Sequence, residues 1–150
     1  MADRTGCVRM IILDTSVISE PMKIDGNTVV QAWLDTQIAE TLFLTTIGLS
    51  ELLLGIEILP VGKRKQALAA ALGDQIRVLF GPRILPFDQK AAEAYAKLIG
   101  RSHEAGNAIS VIDGQIAAIA EVHKFAVATR DVEPFEAAGV TVINPWDTSD

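Results

Sequence analysis

Apolar residues in this chain fall into two kinds of run. The short ones have almost no polar position: residues 8–13, 42–45, 84–86, 125–128 and 141–143. Being apolar on successive positions rather than alternate ones, they read as parallel strands covered by helices on both faces. The longer ones repeat at helical spacing. Residues 28–39 carry Val29, Val30, Trp33, Leu34 and Ile38, and residues 63–79 carry a stripe of Leu68, Leu72, Ile76 and Leu79. Residues 47–59 are apolar around most of the helix and stop before Pro60 and Gly62. Residues 89–105 end at Gly106, 111–123 carry Ile112, Ile116, Ile119 and Ala120, and 132–138 end at Gly139. Strands separated by helices predict an α/β fold, a three-layer α/β/α domain around a central, mainly parallel sheet. No repeat or low-complexity segment interrupts the pattern, and 150 residues suit one domain, with about 1–8 and 147–150 as frayed ends.

That architecture says where chemistry belongs. Right-handed crossovers place the C-terminal ends of all parallel strands on one edge, and ligands bind there. Asp14 follows the first strand and Glu51 lies about a turn into the helix after the second. Asp131 follows the fourth strand, and Asp113 opens the helix before it. Each acid alone has a purely structural reading. Asp14 and Asp131 can cap the helices that follow them. Asp113 stands three residues after Ser110 as in a capping box, and Glu51 suits an early helical turn. The set is harder to explain that way. Asp113 and Glu51 interrupt strongly apolar stretches, where uncompensated carboxylates are costly and neighbouring ones raise each other's pKa. A hard divalent cation such as Mg²⁺ or Mn²⁺ relieves both costs and turns water into a nucleophile suited to phosphodiester hydrolysis. Thr15 and Ser16 supply hydroxyls either to the site or to the helix cap. His103 and His123 fall near helix C-termini and read as surface residues.

Charge and composition adjust this picture. A net charge of −6 argues against a polyanionic partner, unless bound cations offset the carboxylates. The dense basic stretch is "GKRKQ", where Lys63, Arg64 and Lys65 are either a solvated helix start or contacts to a phosphate backbone. Cations at a helix N-terminus oppose its dipole, so the placement lacks an evident local benefit. Arg130, between Thr129 and Asp131, either touches a substrate phosphate or pairs with a surface acid. Trp33 and Trp146 read as packing residues, with base stacking by Trp146 the lesser alternative. The helix over 47–59 has more apolar surface than one core contact uses; the surplus is either buried by the following helix over 63–79 or left as a partner face, a groove or a two-fold contact through Leu53 and Ile56, and some of each is expected. The single cysteine, Cys7, excludes an internal disulfide and reads as a small residue leading into the first strand. No secretory pattern and no membrane-length apolar run is present, so a reducing cytoplasm is expected. Phosphotransferases with an aspartyl nucleophile carry Asp-x-Asp at a strand end, where this chain has Ser16. A receiver domain needs a late lysine that is lacking here, and no glycine-rich nucleotide loop follows the first strand.

The stretches "LDTSVISEP", "ELLLGIEILPVGKRKQAL", "RILPFD", "DGQIAAIA", "VATRD" and "NPW" together resemble the PIN-domain ribonucleases. Within them the chain is most similar to the FitB-like branch of the VapC-type toxins of bacterial toxin–antitoxin pairs. The resemblance runs from Leu13 to Trp146. It implies a Mg²⁺- or Mn²⁺-dependent endoribonuclease with Asp14, Asp113 and Asp131 as metal ligands. Glu51 is then a ligand or a water-positioning acid, and Thr129 an orienting hydroxyl. Ser16 stands where the family commonly has asparagine; both can hydrogen-bond a neighbouring carboxylate. Also implied are a homodimer and a cognate antitoxin of the VapB/FitA kind, with DNA bound only through that antitoxin. The competing reading is a catalytically silent PIN-like module binding RNA or protein, against which the complete acidic set counts.

Overall fold

Five short strands lie side by side in the order β3-β2-β1-β4-β5. The computed structural model describes residues 9–147; of the ends expected to fray, 1–8 (Cys7 and Val8 among them) and 148–150 lie outside that range. The strands are β1 (Ile11–Leu13), β2 (Leu42–Thr45), β3 (Ile84–Leu85), β4 (Ala126–Ala128) and β5 (Val142–Ile143). All four pairings are parallel, so the sheet is wholly rather than mainly parallel. In the centre, Ile11, Ile12 and Leu13 pair with Ala126, Val127 and Ala128.

The unbroken apolar strands have a simple cause. Successive side chains point to opposite faces, and each face has its own core. Ile11, Leu13, Leu42, Leu44 and Ala128 join one cluster, while Ile12 and Val127 join the other with Phe43 packed against it. The first cluster is closed by α1 (Thr15–Ile18), α2 (Thr28–Asp35), α3 (Thr46–Glu57) and α4 (Lys63–Gln75), through Val17, Val30, Leu52 and Leu72. The second is closed by α5 (Gln89–Glu104), α6 (Val111–His123) and α7 (Val132–Ala137), through Leu98, Ile116 and Phe135. These are the three layers the pattern predicted.

Helix ends depart from the expectation where side chains compete for backbone. The helix expected over 28–39 stops at Asp35. There the Thr36 hydroxyl and the Gln37 amide both donate to the Trp33 carbonyl, at 2.7 and 3.1 Å, and a short 3₁₀ turn, Ala39–Thr41, follows. The helix expected over 63–79 is regular only to Gln75 and continues as a wider π turn, Ile76–Phe80. Gly81, at φ 51°, ends it in a conformation that favours glycine. The Asp147 N–H donates to the Asn144 carbonyl at 3.0 Å. Among the described residues, no helix is long and apolar enough to cross a membrane.

Candidate acidic active site

Asp14 is the first residue past β1, and its N–H still donates to Ala128 of β4, at 2.9 Å. It occupies the N-cap position of α1, yet its side chain makes no capping hydrogen bond. The carboxylate instead turns along the sheet edge, 8% exposed as a residue. Thr129 Oγ1 donates to its Oδ2 at 2.8 Å, and Ser16 Oγ donates weakly to the same atom at 3.4 Å. Thr129 is completely buried, and the same hydroxyl accepts the Asp131 N–H at 3.0 Å. Asp131 likewise stands at an N-cap without capping through its side chain. For both aspartates the capping reading is therefore excluded by geometry.

Glu51 reaches the edge from α3, whose first turn is capped by Thr45 Oγ1 accepting the Gly48 N–H at 2.9 Å. Thr15 Oγ1 lies 3.4 Å from Glu51 Oε1 as a donor, joining α1 to α3. Asp113 sits in the first turn of α6, which Ser110 caps by accepting the Asp113 N–H at 3.1 Å. The following Gly114 explains how α6 comes so close to α5. A Cβ there would lie 2.9 Å from Ile99 Cδ1 and 3.0 Å from Tyr95 Cε1.

The electrostatics tie these segments together. Burial pushes the Asp14 carboxyl above its ordinary value; bonds from Thr129, the Thr15 N–H and Ser16 oppose this, and the Asp131 charge adds to it. Glu51 is raised by burial and then by the charges of Asp14 and Asp113, with Thr15 opposing. Asp113 is raised by burial and by the charges of Asp14 and Asp131, with Ser110 opposing. The four acids from four segments thus act on one another at one edge. They do not form a finished cage: among the described residues, no three His, Cys, Asp or Glu side chains are grouped closely enough to enclose an ion.

The basic residues are dispersed. Lys65 Nζ donates to the Glu57 carbonyl at the end of α3, at 2.8 Å. The basic stretch thus has a local benefit the dipole argument missed, because a cation here serves the C-terminus of the preceding helix. Lys63 is exposed, and Arg64 lines a groove of about 740 Å³ together with Glu51 and Thr15. Sequence reasoning did not find that groove, which runs between α1, α3 and α4 over Leu52, Ile56, Leu68 and Leu72. Its one legible signal was the surplus of apolar positions on α3. Of these, Ile56 packs inward against the core, whereas Leu53, Leu54 and Ile58 stay exposed. Arg130 forms no ion pair among the described residues and rests its guanidinium over Trp146. Trp33 and Trp146 both pack against the first core cluster, and His103 and His123 are exposed.

A wholly parallel three-layer domain with acids converging on the C-terminal edge of its sheet defines a recognised class, and the chain belongs to the PIN-domain family, whose model matches residues 11–140. It is 49% identical to plasmid stability protein StbB of Pseudomonas syringae pv. tomato, over 92% of this chain and 99% of that protein. It is 45% identical to VapC ribonuclease Y4jK of Sinorhizobium fredii, with the same coverage of both. Among solved structures, FitAB bound to the IR36 DNA fragment superposes with a TM-score of 0.91 at 44% identity, covering 94% of this chain and 99% of that one.

Proposed function

We propose that this chain is an endoribonuclease dependent on Mg²⁺ or Mn²⁺, and the toxin of a toxin–antitoxin pair. The observation that carries the reading is the convergence of acids from separate segments on one sheet edge, where burial first and neighbouring carboxylate charge second raise Asp14, Glu51 and Asp113 above their ordinary values. Like charges held this close are unfavourable without a counter-ion. The donor set suits a hard divalent cation: Asp14, Glu51, Asp113 and Asp131 supply oxygen only. Holding an ion requires these side chains to turn toward one another, because among the described residues no cage is preformed. A cation bound there supplies the positive charge that activates water and offsets charge developing on the phosphate.

The chain's own residues do the rest. Thr129 fixes the carboxylate of Asp14 and the backbone of Asp131 with one hydroxyl. Thr15 engages Glu51 Oε1, which leaves Oε2 to hold the cation or to orient the attacking water. A catalytically silent module has no use for this repulsion. The relatives support the ribonuclease reading through the VapC ribonuclease and the partnered reading through the DNA-bound FitAB complex. An antitoxin segment fits the apolar groove beside Glu51, with a basic side chain among the acids. The exposed Leu53, Leu54 and Ile58 are the face for a homodimer, and DNA is bound by the antitoxin. Sequencing RNA ends after brief expression of the wild type and of Asp14→Asn tests the activity. New ends confined to the wild type are expected; the same ends from both proteins refute the assignment.

A further inference from the structure

An acidic protein that cuts a polyanion needs a cation at the mouth of its site, and the rim offers one that is unspent. Arg130 lies between Thr129, which turns inward to Asp14, and Asp131. Its N–H donates to Ser16 Oγ at 3.3 Å, tying the segment to α1. Though Asp131 follows it directly, the exposed guanidinium forms no ion pair; the ion pairs among the described residues are Lys23–Glu20, Arg77–Asp74 and Lys124–Glu121. It lies over the Trp146 ring instead, 5.3 Å from the ring centroid. Trp146 is itself fixed, half-buried against the first core cluster, with its N–H on Asn144 Oδ1 at 3.0 Å.

This arrangement does two things. Stacking over the ring restrains a side chain that is otherwise mobile. It also leaves the guanidinium's donors, which suit a phosphate geometrically, without a hydrogen-bond or ion-pair partner among the described residues. The other cations are less well placed, since Lys65 is committed to the Glu57 carbonyl and Arg64 to the groove. Base stacking on Trp146 is disfavoured, because the Arg130 guanidinium already lies over its ring.

We propose that Arg130 contacts a backbone phosphate of the RNA strand entering the acidic edge, and that Trp146 is the positioning residue that holds it there. This rests on the ribonuclease reading for its substrate. The test uses a fluorescein-labelled pool of single-stranded 20-mer RNA of random sequence, bound to the full chain carrying Asp113→Asn so that the probe survives. Affinity is measured across a salt series in Mg²⁺. Arg130→Gln is expected to weaken binding about fivefold and to lower the magnitude of the log-affinity against log-salt slope by about 0.7, the contribution of one phosphate on a single strand. Trp146→Leu is expected to weaken binding about two- to threefold, with Trp146→Phe restoring it. In a Trp33→Phe background the remaining tryptophan emission should change on RNA addition, and should not when Arg130 is glutamine. Unchanged affinity and slope in Arg130→Gln overturn the proposal, as does full affinity in Trp146→Leu for the positioning role. The two readings separate cleanly. Digestion of total bacterial RNA by the unmodified chain together with Arg130-independent binding removes only this proposal. Arg130-dependent binding with intact RNA removes only the nuclease reading.

Discussion

Thr129→Val removes one hydroxyl, keeps the side chain's volume, and strikes the bond that joins two of the acids. Thr129 has no exposed surface, and its Oγ1 serves both Asp14 Oδ2 at 2.8 Å and the Asp131 N–H at 3.0 Å. A hydrogen bond to a charged group contributes about 1.5–3 kcal/mol. The second bond is worth about 0.5–1 kcal/mol, at the low end because Asp131 is exposed and water can replace the lost partner. The expected destabilisation at neutral pH is therefore about 2–4 kcal/mol. Thr129→Ser keeps both bonds and loses one methyl, at about 1 kcal/mol. The pH dependence adds a signature. Asp14 has a folded pKa above its unfolded one, so its ionisation costs stability that is absent below the unfolded value and is incurred as pH rises through the folded value. Removing a bond that favours the charged form raises that folded value further. The deficit of Thr129→Val should thus be large at neutral pH and shrink towards that of an ordinary neutral hydrogen bond as Asp14 protonates. Urea denaturation in metal-free buffer at a series of pH values measures it, with RNA cleavage as the functional readout. A valine variant no less stable than the serine variant at pH 7, or a deficit that does not change with pH, refutes the reasoning.

The remaining predictions concern the acids and the helix that carries one of them. Asp113→Asn should abolish RNA cleavage yet raise the metal-free melting temperature at neutral pH, because burial and the charges of Asp14 and Asp131 disfavour the ionised form. That gain should vanish well below the ordinary value of 3.8, where the wild-type carboxyl is neutral in both states; retained cleavage or a lower melting temperature at pH 7 counts against it. Mn²⁺ at a hundred times its dissociation constant should stabilise the wild type by about 2.7 kcal/mol and Asp14→Asn far less; scanning fluorimetry with and without chelator reads this, and equal shifts in both proteins deny Asp14 a ligand role. Gly114→Ala forces a Cβ to within 2.9 Å of Ile99 and 3.0 Å of Tyr95. The overpacking should cost about 1–3 kcal/mol, of which the helix preference of alanine returns about 0.5–1 kcal/mol, leaving a net loss in denaturant unfolding and lower cleavage as Asp113 is displaced; a fully stable and active variant counts against the close approach.

Much of the fold was readable because each central strand is buried on both faces. Ile11 and Leu13 enter one core and Ile12 the other, so no polar residue could be accepted at those positions. The helices were legible for the opposite reason, one apolar stripe against one core. Their ends were less so, because termination at Thr36 and the π turn after Gln75 depend on which groups win particular carbonyls.

By itself, the order of residues determined the layers, the parallel sheet and the edge on which the acids emerge, since period and burial are local properties of the chain. Whether those acids cap helices or face one another was decided only by the folded chain. Thr129 and Asp14 are 115 residues apart in sequence and 2.8 Å apart as donor and acceptor, and no local pattern encodes such a pairing. The same holds for Arg130 over Trp146, for Lys65 on the end of α3 and for the groove beside Glu51. A side chain's role depends on which neighbour takes its charge or its hydrogen bond, and that neighbour is supplied by packing between segments distant in sequence.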